Sequence, residues 1–343
     1  MTKKNKTPLG IFAEAIGLYF SNFKQFVKYM SFPVLGQVVG LCLVFLCIYI
    51  YSKNMPYLIE KFSLFDNFVA LILVAIFLTV PGMIIFMKAF WEYLVAYGAL
   101  NSMLENMLSS GKVYDFDAHT ELIKRRTVSY VGLWMLFCIF SAIAIVPFFW
   151  VIAGIFAVFF VLVFQVFTYE PELTPVGCVK KSLMLVKGHF ASTFMLMALA
   201  GALTYCLIPQ LFNMLFNSVN INNFLASVIT PVIAELPVAE LNKAISYAYL
   251  PPIKVEDIAM FVVATTVAQI LIQYTLPLRS LLWGLWYKEL NGSIPKQVEK
   301  KRKSTKKRPS EKLMEESHKK FSAKKLDRNI LKRAMEKDDE EES

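Results

Sequence analysis

Apolar positions in this chain are grouped into long runs free of charge, not alternated with polar ones. Charged side chains are absent from Tyr29 to Ser52, Asn67 to Met87, Thr127 to Tyr169, Gly188 to Ala234 and Ile258 to Leu278, runs of 24, 21, 43, 47 and 21 residues. A helix crossing about 30 Å of hydrocarbon needs about 20 such residues. As one helix the 43-residue run would be about 65 Å long, twice the core thickness. Pro147 near its middle therefore marks a reversal between two spans. In the 47-residue run, Phe190 to Phe216 is apolar enough to cross, and Asn213, Asn217, Asn220, Asn222 and Asn223 mark an exit. The 11-residue apolar piece around Pro231 that follows is too short to cross and reads as interfacial. The pattern predicts an all-α polytopic membrane protein with six transmembrane helices, near 30–51, 68–87, 128–146, 148–168, 190–216 and 258–287. They form a membrane domain over 30–291, preceded by an arm and amphipathic helix over 1–29 and followed by a charged tail over 292–343.

Two segments predict cytoplasmic interfacial helices. Phe12, Ile16, Tyr19, Phe20, Phe23 and Val27 recur at helical spacing opposite Glu14, Ser21, Lys24 and Lys28. Before the fifth span, Val176, Val179, Leu183, Val186 and Phe190 form a stripe opposite Lys180, Lys181 and Lys187. Both helices open alike, Thr7-Pro8-Leu9-Gly10 matching Thr174-Pro175-Val176-Gly177, with Thr suited to the cap and Pro to the first turn. At the same offset of 167 residues Leu18 meets Leu185 and Phe23 meets Phe190. An ancient duplication and convergence on a common membrane entry both account for the match.

Composition agrees with the pattern. Charged residues make up 18% of the chain, against about 25% in soluble domains. The net charge of +10 is split unevenly: residues 288–343 carry 18 Lys/Arg against 12 Asp/Glu. Short loops rich in Lys and Arg stay in the cytoplasm. Lys3, Lys4, Lys6, Lys24, Lys28, Lys88, Lys112, Lys124, Arg125, Arg126, Lys180, Lys181 and Lys187 lie on one side, and only Lys53, Lys61, Lys243 and Lys254 on the other. The expectation is a bacterial cytoplasmic (inner) membrane with both termini cytoplasmic. The first apolar span lacks a small-residue cleavage pattern, so no signal peptide is expected.

Candidate chemistry is sparse. Asp115, Asp117, His119 and Glu121 alternate, and on an extended segment would share one face and could hold a divalent cation. Acidic residues just before a helix are equally explained by its N-terminus, and no metal or other cofactor is expected. Cys42, Cys47, Cys138, Cys178 and Cys206 form no C-x-x-C pair. Cys178 and His189 share no acid, and no G-x-S-x-G, H-E-x-x-H or P-loop pattern occurs. An enzyme is not expected. Inside the spans, Gln269 and Gln273 at i, i+4 are candidates for interhelical hydrogen bonds or a polar path, and Gly36-x-x-x-Gly40 for close packing or a homo-oligomer. Pro81 and Pro277 are kink candidates in related span ends, before Phe90-Trp91-Glu92 and Leu285-Trp286-Tyr287-Lys288. No ionisable group is expected at depth. The stretch from Lys296 to Arg308 holds eight Lys/Arg. Lys180, Lys181, Lys300, Lys301, Arg302 and Lys303 are the candidates for anionic lipid headgroups. Nucleic acid is a weaker partner, since that basic stretch has no aromatic residue to stack on bases.

The segment from Thr174-Pro175 through Val179-Lys180-Lys181-Ser182 to Lys187-Gly188-His189-Phe190, with the terminal Pro277 to Trp286-Tyr287-Lys288 helix, resembles the bacterial six-helix membrane domain found alone or fused to some glycerophosphodiester phosphodiesterases. The resemblance covers the architecture over residues 7–292. It implies a membrane module without chemistry of its own, because in the fused proteins catalysis resides in a separate barrel. The expected function is non-enzymatic, in membrane organisation or lipid homeostasis, with membrane lipids or a membrane-protein partner bound. The rival expectation is a permease or translocation component for an uncharged or apolar solute.

Overall fold

The computed structural model describes residues 7–62, 67–113 and 115–293, and those up to Asn291 belong to one compact unit. No strand occurs among the described residues. In chain order the helices are α1 (Pro8–Ser21), α2 (Phe23–Lys61), α3 (Phe68–Ser110), α4 (Phe116–Lys124), α5 (Thr127–Ala142), α6 (Trp150–Phe160), α7 (Val163–Tyr169), α8 (Pro175–Lys187), α9 (Phe190–Gly201), α10 (Ile208–Ser218), α11 (Ile221–Ile233), α12 (Val238–Ser246), α13 (Val255–Tyr274) and α14 (Leu276–Ser293). A π-helical stretch, Ala202–Leu207, joins α9 to α10. Six helices or helix runs are long and apolar enough to cross a membrane: Phe23–Lys61, Phe68–Ser110, Thr127–Ile145, Pro147–Tyr169, Phe190–Ser218 and Val255–Gly292. The chain is an integral, multi-pass membrane protein. As Pro147 predicts, the long third run reverses there: Val146 is extended and short 3₁₀ turns flank it.

The first two spans are much longer than the charge-free runs within them. A charge gap measures how much helix tolerates hydrocarbon, not where the helix stops. Beyond Lys88, α3 continues for about six more turns because a second set of residues, Ala96, Ala99, Leu100, Met103, Leu104 and Met107, is buried against other helices. The apolar piece around Pro231 also differs from a simple surface helix: α11 and α12 form a pair bent by 93°, with Ala226 of α11 packed on Ala259 and Val263 of α13.

Buried side chains concentrate at the end of the bundle that holds α1, α4 and α8, here called the basic end. There α14 is the central helix, with Leu278, Leu281, Leu282, Trp286 and Tyr287 all buried. Toward the other end apolar side chains such as Phe77, Phe148, Val151 and Met214 are exposed. That distribution is what acyl chains as solvent produce, since lipid gives apolar groups no reason to hide.

Close approach between α2 and α3 is set by small residues. A Cβ on Gly36 would come within 2.8 Å of the Ala89 Cβ, and one on Gly40 within 2.6 Å of the Phe86 backbone nitrogen and 2.8 Å of the Gly82 carbonyl oxygen. The Gly36-x-x-x-Gly40 face is thus occupied by the chain's own α3, not left for a second copy. Pro81 lies beside this crossing inside a helix that continues through it. Gly40→Leu is expected to lower the melting temperature in detergent by several degrees, because overpacking costs about 1–3 kcal/mol. Gly154→Leu, with nothing within 4 Å of the new Cβ, should leave it unchanged; equal melting of both variants would show that the crossing does not set stability.

Candidate functional site

Two surface helices define the basic end, and they are built alike. The Thr7 hydroxyl oxygen accepts from the Gly10 N–H at 3.2 Å, and the Thr174 hydroxyl oxygen accepts from the Gly177 N–H at 3.2 Å. Each helix ends in one non-helical elbow before a span: Asn22 has φ −120° and ψ 19°, and His189 has φ −134° and ψ 26°. Asn22 and His189 are 167 residues apart, the offset that aligns the two Thr-Pro starts. The inward faces correspond as well, since Ile11 and Ala15 of α1 are buried like Cys178 and Ser182 of α8.

Both elbows correct the stripes read from sequence. The first stripe was continued through Val27 on one helix, but the chain turns at Asn22, so Ile11, Ala15 and Tyr19 are buried while Phe20 and Phe23 face outward. Asn22 holds that turn by clasping the end of α3: its amide donates to the Gly111 carbonyl at 3.2 Å, and its carbonyl oxygen accepts from the Val113 N–H at 3.1 Å. In α8 the buried face is Cys178, Ser182, Leu185 and Val186, of which only Val186 belongs to the predicted stripe, and Val176, Lys180, Met184 and Lys187 form the exposed one. Burial pushes the Cys178 thiol up to about 11, which keeps it protonated at neutral pH.

The candidate headgroup lysines separate into different environments. Lys180 is exposed. Lys181 is half-buried and pairs with Glu170 at 3.4 Å, and Glu170 also accepts from the Tyr287 hydroxyl at 2.8 Å. Around them Tyr287 stacks on Tyr169 with centroids 5.1 Å apart, and Lys288 pairs with Glu105 at 3.4 Å while lying over the Tyr169 ring. Lys181 therefore fastens α8 to the central helix instead of waiting for a ligand. Lys300, Lys301, Arg302 and Lys303 lie outside the described residues.

The alternating Asp115, Asp117, His119 and Glu121 do not share a face, because the segment is helical and its side chains advance 100° per residue. Asp115 caps α4 by accepting from the Ala118 N–H, and Glu121 pairs with Arg125 at 3.1 Å. His119 turns inward onto α3, with Nδ1 2.7 Å from the Ser102 hydroxyl and Nε2 2.8 Å from the Asn106 amide nitrogen. The Ser102 hydroxyl donates to the Ala99 carbonyl, so it accepts from Nδ1–H, and Nε2 accepts from Asn106. The imidazole is neutral in this arrangement.

Gln269 and Gln273 are likewise divided. Gln273 is 3.4 Å from the Gln37 amide, which also donates to the Pro33 carbonyl, whereas Gln269 is exposed. At Pro277 the last span breaks: α13 ends at Tyr274, Thr275 caps it and α14 restarts. The loosened Ile272 carbonyl accepts from the Thr275 hydroxyl at 2.7 Å and from the Arg279 guanidinium at 3.1 Å, and the Tyr274 carbonyl accepts from the Tyr19 hydroxyl at 3.2 Å. Arg279 also donates to the Tyr205 hydroxyl of the π-helical stretch. Its Nε is buried without a partner among the described residues. This cation lies inside the Val255–Gly292 run, which is long and apolar enough to cross a membrane. The charge-free run Ile258 to Leu278 ends one residue before it. Proline two residues ahead of an arginine was the available signal.

No family model, curated protein or solved structure matches the chain.

Burial holds the His119 imidazole below its usual range, against the opposing pull of Asp115 and Glu105. When α4 detaches, the free imidazole protonates as pH falls through about 6.5, while the docked one resists. Docking is therefore complete above that pH and weakens below it. Hydrogen exchange of α4 amides, corrected for intrinsic rates, should show protection lost between pH values of about 7.5 and 5.5. His119→Gln should abolish that pH dependence, and its persistence would assign the effect to another group.

Proposed function

We propose that this protein is a non-enzymatic organiser of the inner leaflet of a bacterial cytoplasmic membrane, with both termini cytoplasmic and anionic lipid headgroups gathered at its basic end. The carrying observation is the outward face of α8 and of the elbow between α1 and α2, where exposed apolar residues (Phe20 67%, Met184 72%) stand beside exposed lysines (Lys24 at the start of α2, Lys180 and Lys187 of α8). Apolar groups of that kind rest at the boundary between headgroups and acyl chains, with the lysines at the phosphates. The rigid attachment of α8 through Lys181 and Glu170 supports a fixed platform. The resemblance to the six-helix membrane module accords with this reading.

Each basic group near an anionic leaflet contributes about 1 kcal/mol. Replacing Lys180 and Lys187 by Gln is thus expected to weaken phosphatidylglycerol retention about 30-fold, read by native mass spectrometry of the purified protein. Replacing Lys300, Lys301, Arg302 and Lys303 as well should weaken it further. Unchanged retention in both variants would overturn the reading.

A second reading, a permease or translocation component for an uncharged or apolar solute, is favoured by one observation. The broken last span and the π-helical stretch meet at Arg279 and Tyr205, and interrupted helices of this kind line solute sites in transporters. Proteoliposomes loaded with small uncharged solutes separate the readings. The organiser reading expects no protein-dependent flux; flux that Arg279→Met abolishes would establish the rival.

A further inference from the structure

A second feature of the basic end is independent of the exposed lysines on α8. Between α2, α3 and α4 lies a half-open cleft of about 560 Å³, within the size range of small-molecule sites. Its charged lining is balanced: Lys28 of α2 and Lys124 of α4 against Glu92 of α3 and Asp117 of α4. Among the described residues none of these four side chains makes an ion pair or hydrogen bond within the chain. Two cations and two anions face one cavity and leave one another unpaired.

The wall between them is aromatic and fixed. Tyr29 and Phe116 stack at 4.7 Å, and the Tyr29 hydroxyl is 2.9 Å from that of Thr120. Such rings, flanked by carboxylates, suit an ammonium group. Lysines at the other positions suit a phosphate as point charges. A ligand carrying both groups close together satisfies all four side chains, whereas a purely anionic one leaves Glu92 and Asp117 repelling it.

The cleft also has a direction. Lys28, Phe32, Leu35 and Val39 follow one another on a single stripe of α2, and the last three are exposed apolar residues. The stripe runs about 16 Å from Lys28 to Val39, the depth of one leaflet. Lys88 lies over the Phe32 ring, 5.3 Å from its centroid, where the cleft meets the stripe. A soluble zwitterion would fill the cleft and leave the stripe unused; a diacyl lipid uses both.

We propose that the α2–α3–α4 cleft binds the headgroup of a zwitterionic, primary-amine phospholipid of the phosphatidylethanolamine type. Lys28 and Lys124 hold the phosphate, Glu92 and Asp117 hold the ammonium, and an acyl chain lies along Phe32, Leu35 and Val39. This goes beyond the anionic-lipid reading and fails separately from it, because the cleft contains neither Lys180 nor Lys187.

The test is native mass spectrometry of the full-length protein in detergent, offered phosphatidylethanolamine and phosphatidylglycerol together. The wild type is expected to retain both lipids, and Lys180→Gln with Lys187→Gln, which removes the anionic-lipid face and leaves the cleft untouched, to retain the ethanolamine lipid in preference. Glu92→Gln with Asp117→Asn should lower that retention about tenfold or more, as loss of charged hydrogen-bond partners does, and leave phosphatidylglycerol retention at Lys180 and Lys187 intact. Glu92→Asp with Asp117→Glu, which keeps both charges, should restore much of it. Melting curves of each variant establish that the fold is retained. Absence of preference in the Lys180→Gln, Lys187→Gln protein, or ethanolamine-lipid retention unchanged in the neutralised variant, overturns the proposal. Binding of soluble glycerophosphoethanolamine as tight as that of the lipid would overturn the acyl-chain arm and assign the cleft to a soluble zwitterion.

Discussion

The constraint on which this structure depends is that a polar group moved into hydrocarbon must bring its own partner. An unpaired backbone group there costs several kcal/mol, so helix is the default wherever the chain meets lipid, and each departure from helix is accompanied by a donor. At the break before α14, the Thr275 and Tyr19 hydroxyls and the Arg279 guanidinium reach carbonyls that the interrupted helix leaves open. Within the unbroken α2, the Gln37 side-chain amide finds its partner one turn back, in the Pro33 carbonyl at 2.7 Å. Ser182 of α8 donates to the Phe159 carbonyl at 2.6 Å, next to the junction of α6 and α7.

The same constraint explains what could be read from sequence. Charges cannot be left in lipid, so their absence marked all six crossing helices and the reversal at Pro147. Everything decided by protein packing was less visible. The end of α3 lies beyond its charge gap because burial against other helices, not hydrocarbon, sustains it. The inward face of α8 includes Ser182 and Cys178, which a hydrophobic stripe does not select, and excludes Val176. Arg279 was hidden for a related reason: a single arginine at the edge of a charge-free run looks like the end of a span until the partners around it are known. His119 likewise reads as a ligand on an extended segment and as a helix-docking group once α4 forms.

The match between α1 and α8 gains weight from features that amphipathicity does not require. A helix lying on a membrane surface needs an apolar face and a start, but not an elbow at the same offset with the same backbone angles. Asn22 and His189 share that backbone conformation while doing different work, one clasping Gly111 and Val113, the other lying edge-on to the Trp286 ring at 6.2 Å. Equal backbone with unequal partners is what a duplicated unit placed in two surroundings would give. The two halves then diverge: after the first elbow comes a tight glycine-mediated hairpin of α2 and α3, after the second a span interrupted by a π-helical stretch and followed by the bent pair of α11 and α12.

That divergence bears on where ligands can bind. A hairpin fixed by Gly40 against Gly82 cannot slide without a backbone collision, so α2 and α3 present Lys28 and Glu92 at a constant separation. The third wall of the cleft, α4, is tied to α3 by a neutral imidazole whose two nitrogens are both satisfied. Cleft and tether share the helix α4, because Asp117 and Lys124 flank His119 on it. Protonation of His119 would therefore loosen the wall that carries one carboxylate and one ammonium of the balanced set, while Lys28 and Glu92 stayed fixed on the hairpin. Ligand binding across the cleft and neutrality of His119 must then favour the same docked arrangement of α4, and by linkage each strengthens the other.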